Sequence, residues 1–166
     1  MRSLTPAMIL ALTGQDTGEV FVMLVTIDHA VLAEPLRFSS DPTERVSDTP
    51  LIYKTASRGD DFIFVPMEIT LPDDADGAPQ RAGVRVSNVG REQITLLRSV
   101  STPASVTMEL VVASDPDTVG MTLPVLDLTD ASWDAAAVQL TLTIDALDKE
   151  PFPAGTFDPA SFPALH

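Results

Sequence analysis

Hydrophobic and polar positions alternate along much of this chain with the period of two that half-buried strands require. Met67/Ile69/Leu71, Ala82/Val84/Val86 and Val106/Met108/Leu110/Val112 alternate with Glu68/Thr70, Arg85/Ser87 and Ser105/Thr107/Glu109. Three strands sharing one core are predicted from them. Val138–Ala146 alternates most cleanly, with Leu140, Leu142 and Ile144 inward and Gln139, Thr141, Thr143 and Asp145 outward. Glu19–Asp28 is β-branched and aromatic with little alternation, the mark of a central strand covered on both faces. Glu34–Ser40 and the short Leu51–Thr55 read as further strands, with Asp41–Thr49 as a polar loop between them. Gly120–Leu128 reads as a strand that changes phase near Pro124, and Trp133 falls in a polar turn, SWDA. Pro66, inside Phe62–Leu71, marks an edge position or a bulge, because proline has no ladder donor.

Helical spacing occurs in two places. Thr5 before Pro6 is a helix start, since a hydroxyl accepts a free backbone N–H and proline loses nothing in the first turn. Gly14 ends that helix, which carries Met8, Ile9, Leu10 and Leu12 and is too short to stand without docking on the sheet or on a neighbouring subunit. Ile94, Leu97 and Val100 predict a second short helix capping the sheet. The predicted architecture is a mostly antiparallel β-sandwich or split β-barrel of about 8 to 10 strands with one or two short helices. It divides into a single β-rich domain over residues 1–149 and an extended arm over 150–166.

The arm differs in kind. Phe152, Phe157 and Phe162 recur every five residues, interleaved with Pro151, Pro153, Pro159 and Pro163. Repeated proline forbids helix and central strand and leaves little entropy to lose on ordering. Phenylalanines on such an arm need pockets, in their own domain or in a neighbour, and each is worth roughly 1.5 to 3 kcal/mol when fully buried.

Composition narrows the function classes. With 166 residues the chain has one core's worth of apolar surface, and with no cysteine it has neither disulfides nor thiolate metal sites. Its formal net charge of −14 repels polyanions, so sequence-specific nucleic-acid binding is not expected. The same acidity serves either a channel wall that does not hold DNA or solubility in a saline habitat. No apolar run approaches the ~20 residues of a membrane helix, and Val20–Val25 is far too short.

No enzyme emerges from the motifs. His29 and His166 sit in no triad spacing, and no glycine-rich phosphate loop is present. Asp74, Asp76 and Gly77 suggest half of a calcium loop, but Pro72 and Gly83 occupy its two defining acidic places. Asp115–Asp117 and Asp127/Asp130/Asp134 are acids at strand ends that gather a cation only if the fold brings them together. The expectation is therefore no catalytic residue, no cofactor and no metal. Arg58-Gly59-Asp60 spells an adhesion tripeptide, yet its position between Tyr53 and Phe62 is that of a hairpin turn. Arg81, Arg85, Arg91 and Arg98 gather in the central block, as outward positions or as partners for acidic patches on a neighbouring subunit.

Several strings carry a family resemblance: LPDD, RAGVRVSNVGRE, ITLLRS and MELVVASDPDTV, then the terminal EPFPAGTFDPASFPAL. Together, over roughly residues 62 to 166, they resemble a bacteriophage family catalogued as domain of unknown function 1833, whose members look like minor tail proteins. The resemblance implies a structural protein of a siphophage tail, assembled in the host cytoplasm and resident in the virion. There it would form a hexameric or trimeric ring or adaptor at the distal tail tip, between the tail tube and the hub or fibre proteins. The expected interface residues are Phe152, Phe157, Phe162, Met8, Leu12, Arg81, Arg85 and Arg91. A different class of function, a carbohydrate- or receptor-binding β-sandwich, would stack its ligand on Trp133 and Tyr53.

Overall fold

A computed structural model of the chain describes residues 4–15, 18–71, 81–87, 104–134 and 137–143. The predicted helix over Ile94–Val100, the acidic loop after Leu71 and the Phe/Pro arm lie outside the described residues. Helix α1 (Pro6–Thr13) starts as predicted, with Thr5 Oγ1 accepting from Met8 N at 3.4 Å. Gly14 ends it in extended rather than left-handed backbone, and its N–H still donates to Leu10 O at 2.9 Å.

Eleven strands are described: β1 (Phe21–Asp28), β2 (Leu36–Ser39), β3 (Glu44–Asp48), β4 (Leu51–Ser57), β5 (Asp60–Phe64), β6 (Met67–Thr70), β7 (Arg81–Ser87), β8 (Ala104–Val112), β9 (Met121–Thr122), β10 (Leu126–Trp133) and β11 (Ala137–Thr143). They form one sheet in the order β3-β4-β5-β2-β1-β8-β10-β11-β7-β6, with β9 added to β8. Every pairing is antiparallel except β2 with β5. The protein is mostly β, with one small helix among the described residues, in keeping with a sandwich or split barrel.

The two halves of the sheet face each other across one core. Val25, Ile27 and Phe38 from β1 and β2 line the same small void as Val84, Val86, Val138 and Leu140 from β7 and β11, and that void holds only ≈ 10 Å³. So small an apolar space is packed core rather than a ligand site.

Pro66 is what carries the chain between the halves. Val65 still donates to Ser39 O beside β2, but Pro66 has no N–H to continue that ladder, and its carbonyl instead accepts from Ser87 N at the end of β7. The predicted strand Phe62–Leu71 is therefore two, with β5 inside the sheet and β6 at one end of the order of described strands.

A smaller core, Val22, Leu24, Phe62 and Val111, lies on the opposite face of β1 and β8, covered by Ala113 and Val119. This explains why β1 lacks alternation: Val22 and Leu24 serve one core, Val25 and Ile27 the other. It also modifies the reading of β8, where Val106 and Met108 are buried inward, Leu110 and Val112 are half-buried, and Val111 is buried on the far side.

Three sequence expectations need correction. The polar loop Asp41–Thr49 contains β3, because an edge strand has one partner and little to bury, and its sequence ERVSD has no apolar face to announce it. Gly120–Leu128 is interrupted at Pro124, giving β9 and the start of β10. Trp133 is not in a turn but is the last residue of β10, paired with Val138, and the turn follows at Asp134, whose carboxylate accepts from Ala137 N at 2.7 Å.

Candidate functional site

Helix α1 is the first surface to consider. Met8 is its one fully buried side chain among those described, seated so closely on Gly120 that a Cβ there would fall 1.8 Å from Met8 Sδ. Its other large apolar residues face water: Ile9 is 48 % exposed, Leu10 72 % and Leu12 55 %. An eight-residue helix that is apolar all round and anchored by one residue normally has a second surface to meet.

The sheet ends are the second. At β3 and the adjoining end of β4, Val46, Leu51 and Ile52 are exposed, with a bulge at Val46. Ion pairs flank them: Arg45 with Asp48, and Lys54 with Asp61 at 3.0 Å and Glu44 at 3.9 Å. The hydrogen bond to Asp61 raises the Lys54 pKa against an opposing desolvation. Bulges and charges on an edge restrain indiscriminate strand addition. At the other end, β6 has Met67 and Ile69 half-buried and Glu68 and Thr70 outward.

The Arg58-Gly59-Asp60 stretch is the tip of the β4–β5 hairpin. Arg58 and Gly59 have φ of 52° and 85°, the pair of positive values that a two-residue hairpin turn matched to strand twist requires. Its charges are already engaged. The Arg58 guanidinium donates to both carboxylate oxygens of Glu109, a bidentate pair that raises its pKa, while Asp60 bridges to Arg37 at 3.1 Å. Asp117 accepts from Arg58 N, and the buried Ser57 Oγ donates to Pro116 O at 2.7 Å, so the tip is tied to the loop between β8 and β9. A tripeptide held this way is a structural turn.

Arg81 and Arg85 both project from the outer face of β7 and are exposed. Sheet order puts them three strand positions from β8, next to which β9 and Gly120 hold α1. Met8 and Leu12 are therefore not brought together with the arginines, and Met8 is spent inside its own chain. Arg91, Phe152, Phe157 and Phe162 lie outside the described residues. Tyr53 is half-buried and T-shaped to Phe64, the ring centroids 6.4 Å apart at 88°. Among the described residues no three of His, Asp and Glu converge as metal ligands, and no helix is long and apolar enough to cross a membrane.

The family described as Domain of unknown function (DUF1833) matches residues 7–157. The chain belongs to that family. No curated protein matches it. The DUF1833 match includes α1 and β1–β5, the N-terminal part to which the resembling strings did not extend.

One feature of this DUF1833 protein escaped the sequence reading. Val46 at the β3 edge went unnoticed because its strand did. Asp127 and Asp130 sit three residues apart, a spacing that puts strand side chains on opposite faces, but a bulge at Thr129 brings both to the outer face of β10. Of the group Asp127, Asp130 and Asp134 that the sequence offers, the fold puts the first two on one face, and among the described residues no three acids converge as metal ligands.

Proposed function

We propose that this DUF1833 protein is a structural minor tail protein of a siphophage. It forms a ring or adaptor at the distal tail tip, between the tail tube and the hub or fibre proteins, and is assembled in the host cytoplasm. The observation that carries the reading is α1, which spends one residue on its own domain and holds Ile9, Leu10 and Leu12 in water. The edges of the described sheet, at β3 and β6, support it further, as ends at which repeated subunits can be joined. The net charge of −14 suits a component of a DNA conduit, since an acidic wall does not retain a polyanion. The work is mechanical, and no reaction is assigned.

Light-scattering mass at micromolar concentration, for the full chain and for an I9S/L10S/L12S variant, tests the reading. The full chain is expected at a small integral multiple of 17.7 kDa and the variant to lose that ring-sized species with unchanged circular dichroism. A triple variant that assembles as the parent does would remove α1 from the proposal.

A further inference from the structure

Six basic residues are described, and four of them are ion-paired within the chain: Arg37, Arg45, Lys54 and Arg58. Arg81 and Arg85 are the two that are not. This is notable in a protein where acids outnumber bases 24 to 10. Glu68 stands directly opposite Arg85 on β6, yet the two do not bridge.

Across the same outer face runs a column of opposite sign. The register places Asp127 opposite Thr143, and Thr143 opposite Arg81; Asp130 faces Thr141, and Thr141 faces Gly83; Ser132 faces Gln139, and Gln139 faces Arg85. Strand β11 thus contributes a neutral strip, Gln139, Thr141 and Thr143, between a positive column on β7 and a negative column on β10. Two strand spacings separate the columns by about 10 Å, so they do not neutralise each other within one copy.

We propose that this face is a two-fold contact with a second copy of the same chain, in which Arg81 and Arg85 of each copy meet Asp127 and Asp130 of the other. The geometry selects the symmetry. A two-fold axis lying in the contact plane along β11 reverses the lateral order of the columns and keeps their level along the strand. It lays Arg81 over Asp127, and Arg85 within one strand repeat of Asp130, a step of about 7 Å that an arginine side chain spans. An in-plane axis across the strands would set each column on its own sign. Face-to-face sheets pack about 10 Å apart, a gap that the hydroxyl and amide strip of β11 fills without burying an unpaired charge. Such a contact joins one assembly to another back to back, and goes beyond the ring reading, which rests on α1 and the sheet ends.

The test is sedimentation of the full chain at low and high salt, beside R81E/R85E, D127R/D130R and an equimolar mixture of the two variants. All substituted positions point outward from strands, and circular dichroism checks the fold. The parent is expected to self-associate more weakly as salt rises. Each variant alone is expected to lose about tenfold or more in affinity, and the mixture to regain association because both columns are then complementary again. A parent without a salt-sensitive step, variants that associate as the parent does, or a mixture that stays apart while the parent associates would each overturn the contact. An I9S/L10S/L12S protein that keeps the parent's ring would sink the ring reading's helix and leave this contact standing, whereas a variant that loses the ring while the parent shows no salt-sensitive step would sink this contact alone.

Discussion

Replacing Gly120 with alanine would probe how α1 is held. The new methyl would lie 1.8 Å from Met8 Sδ, 2.3 Å from Cε and 3.0 Å from Cγ, so the Met8 side chain has to leave its seat. Gly120 does not have a positive φ, and alanine adds no backbone strain there. Overpacking costs about 1–3 kcal/mol. The loss is limited by what Met8 contributes when fully buried, about 1.5–3 kcal/mol, and is offset by roughly 0.4–1 kcal/mol from a stiffer unfolded chain. The net expectation is a destabilisation of about 1–2 kcal/mol in urea unfolding, with faster amide exchange concentrated in residues 6–13. Met8→Ala should relieve the clash, so the double variant should be less damaged than the sum of the singles by about 1 kcal/mol. Strictly additive effects, or G120A with α1 as protected as in the parent, would refute this account of the docking.

Thr55 is fully buried, with its hydroxyl 2.7 Å from Ser39 Oγ, 2.8 Å from Thr43 Oγ1 and 3.2 Å from Asp41 O. T55V strands those partners and should cost about 2–3 kcal/mol in denaturant unfolding; a change under about 0.5 kcal/mol would mean the cluster is not a structural core. G59V forces a branched side chain to φ 85° and should cost about 1–3 kcal/mol in thermal unfolding. Because the pKa of Arg58 is raised, its pairing with Glu109 contributes fully below the unfolded value and is lost only as pH climbs through the still higher folded one. The stability difference between R58M and the parent should therefore stay flat from about pH 6 to 9 while shrinking with added salt; a difference that falls steeply across that range would point to another titrating group.

The sequence revealed elements whose apolar residues repeat on one face and concealed those held by position. Ala82/Val84/Val86 and Leu140/Leu142 are inward as their alternation predicts, because each serves a single core. The cap at Thr5, the α1 stop at Gly14 and the turn at Arg58-Gly59 are local chemistry and were equally legible. β3 was not, since an edge strand of mostly charged and polar residues looks like a loop. Nor was the second core, because Val111 has to be read against Val22 and Phe62, which are distant in sequence. The candidate surfaces divide the same way. The outward arginines of β7 follow from period two, whereas Asp127 and Asp130 share a face only through a bulge, and Met8 is buried against a glycine more than a hundred residues away.

The most direct measurement for the proposed role is electron microscopy of tailed particles from a culture that produces this chain, labelled with gold-conjugated antibody against it. The account predicts gold at the distal end of the tail and nowhere else on the virion. Label on the capsid, or particles with complete tails that carry none, would contradict it.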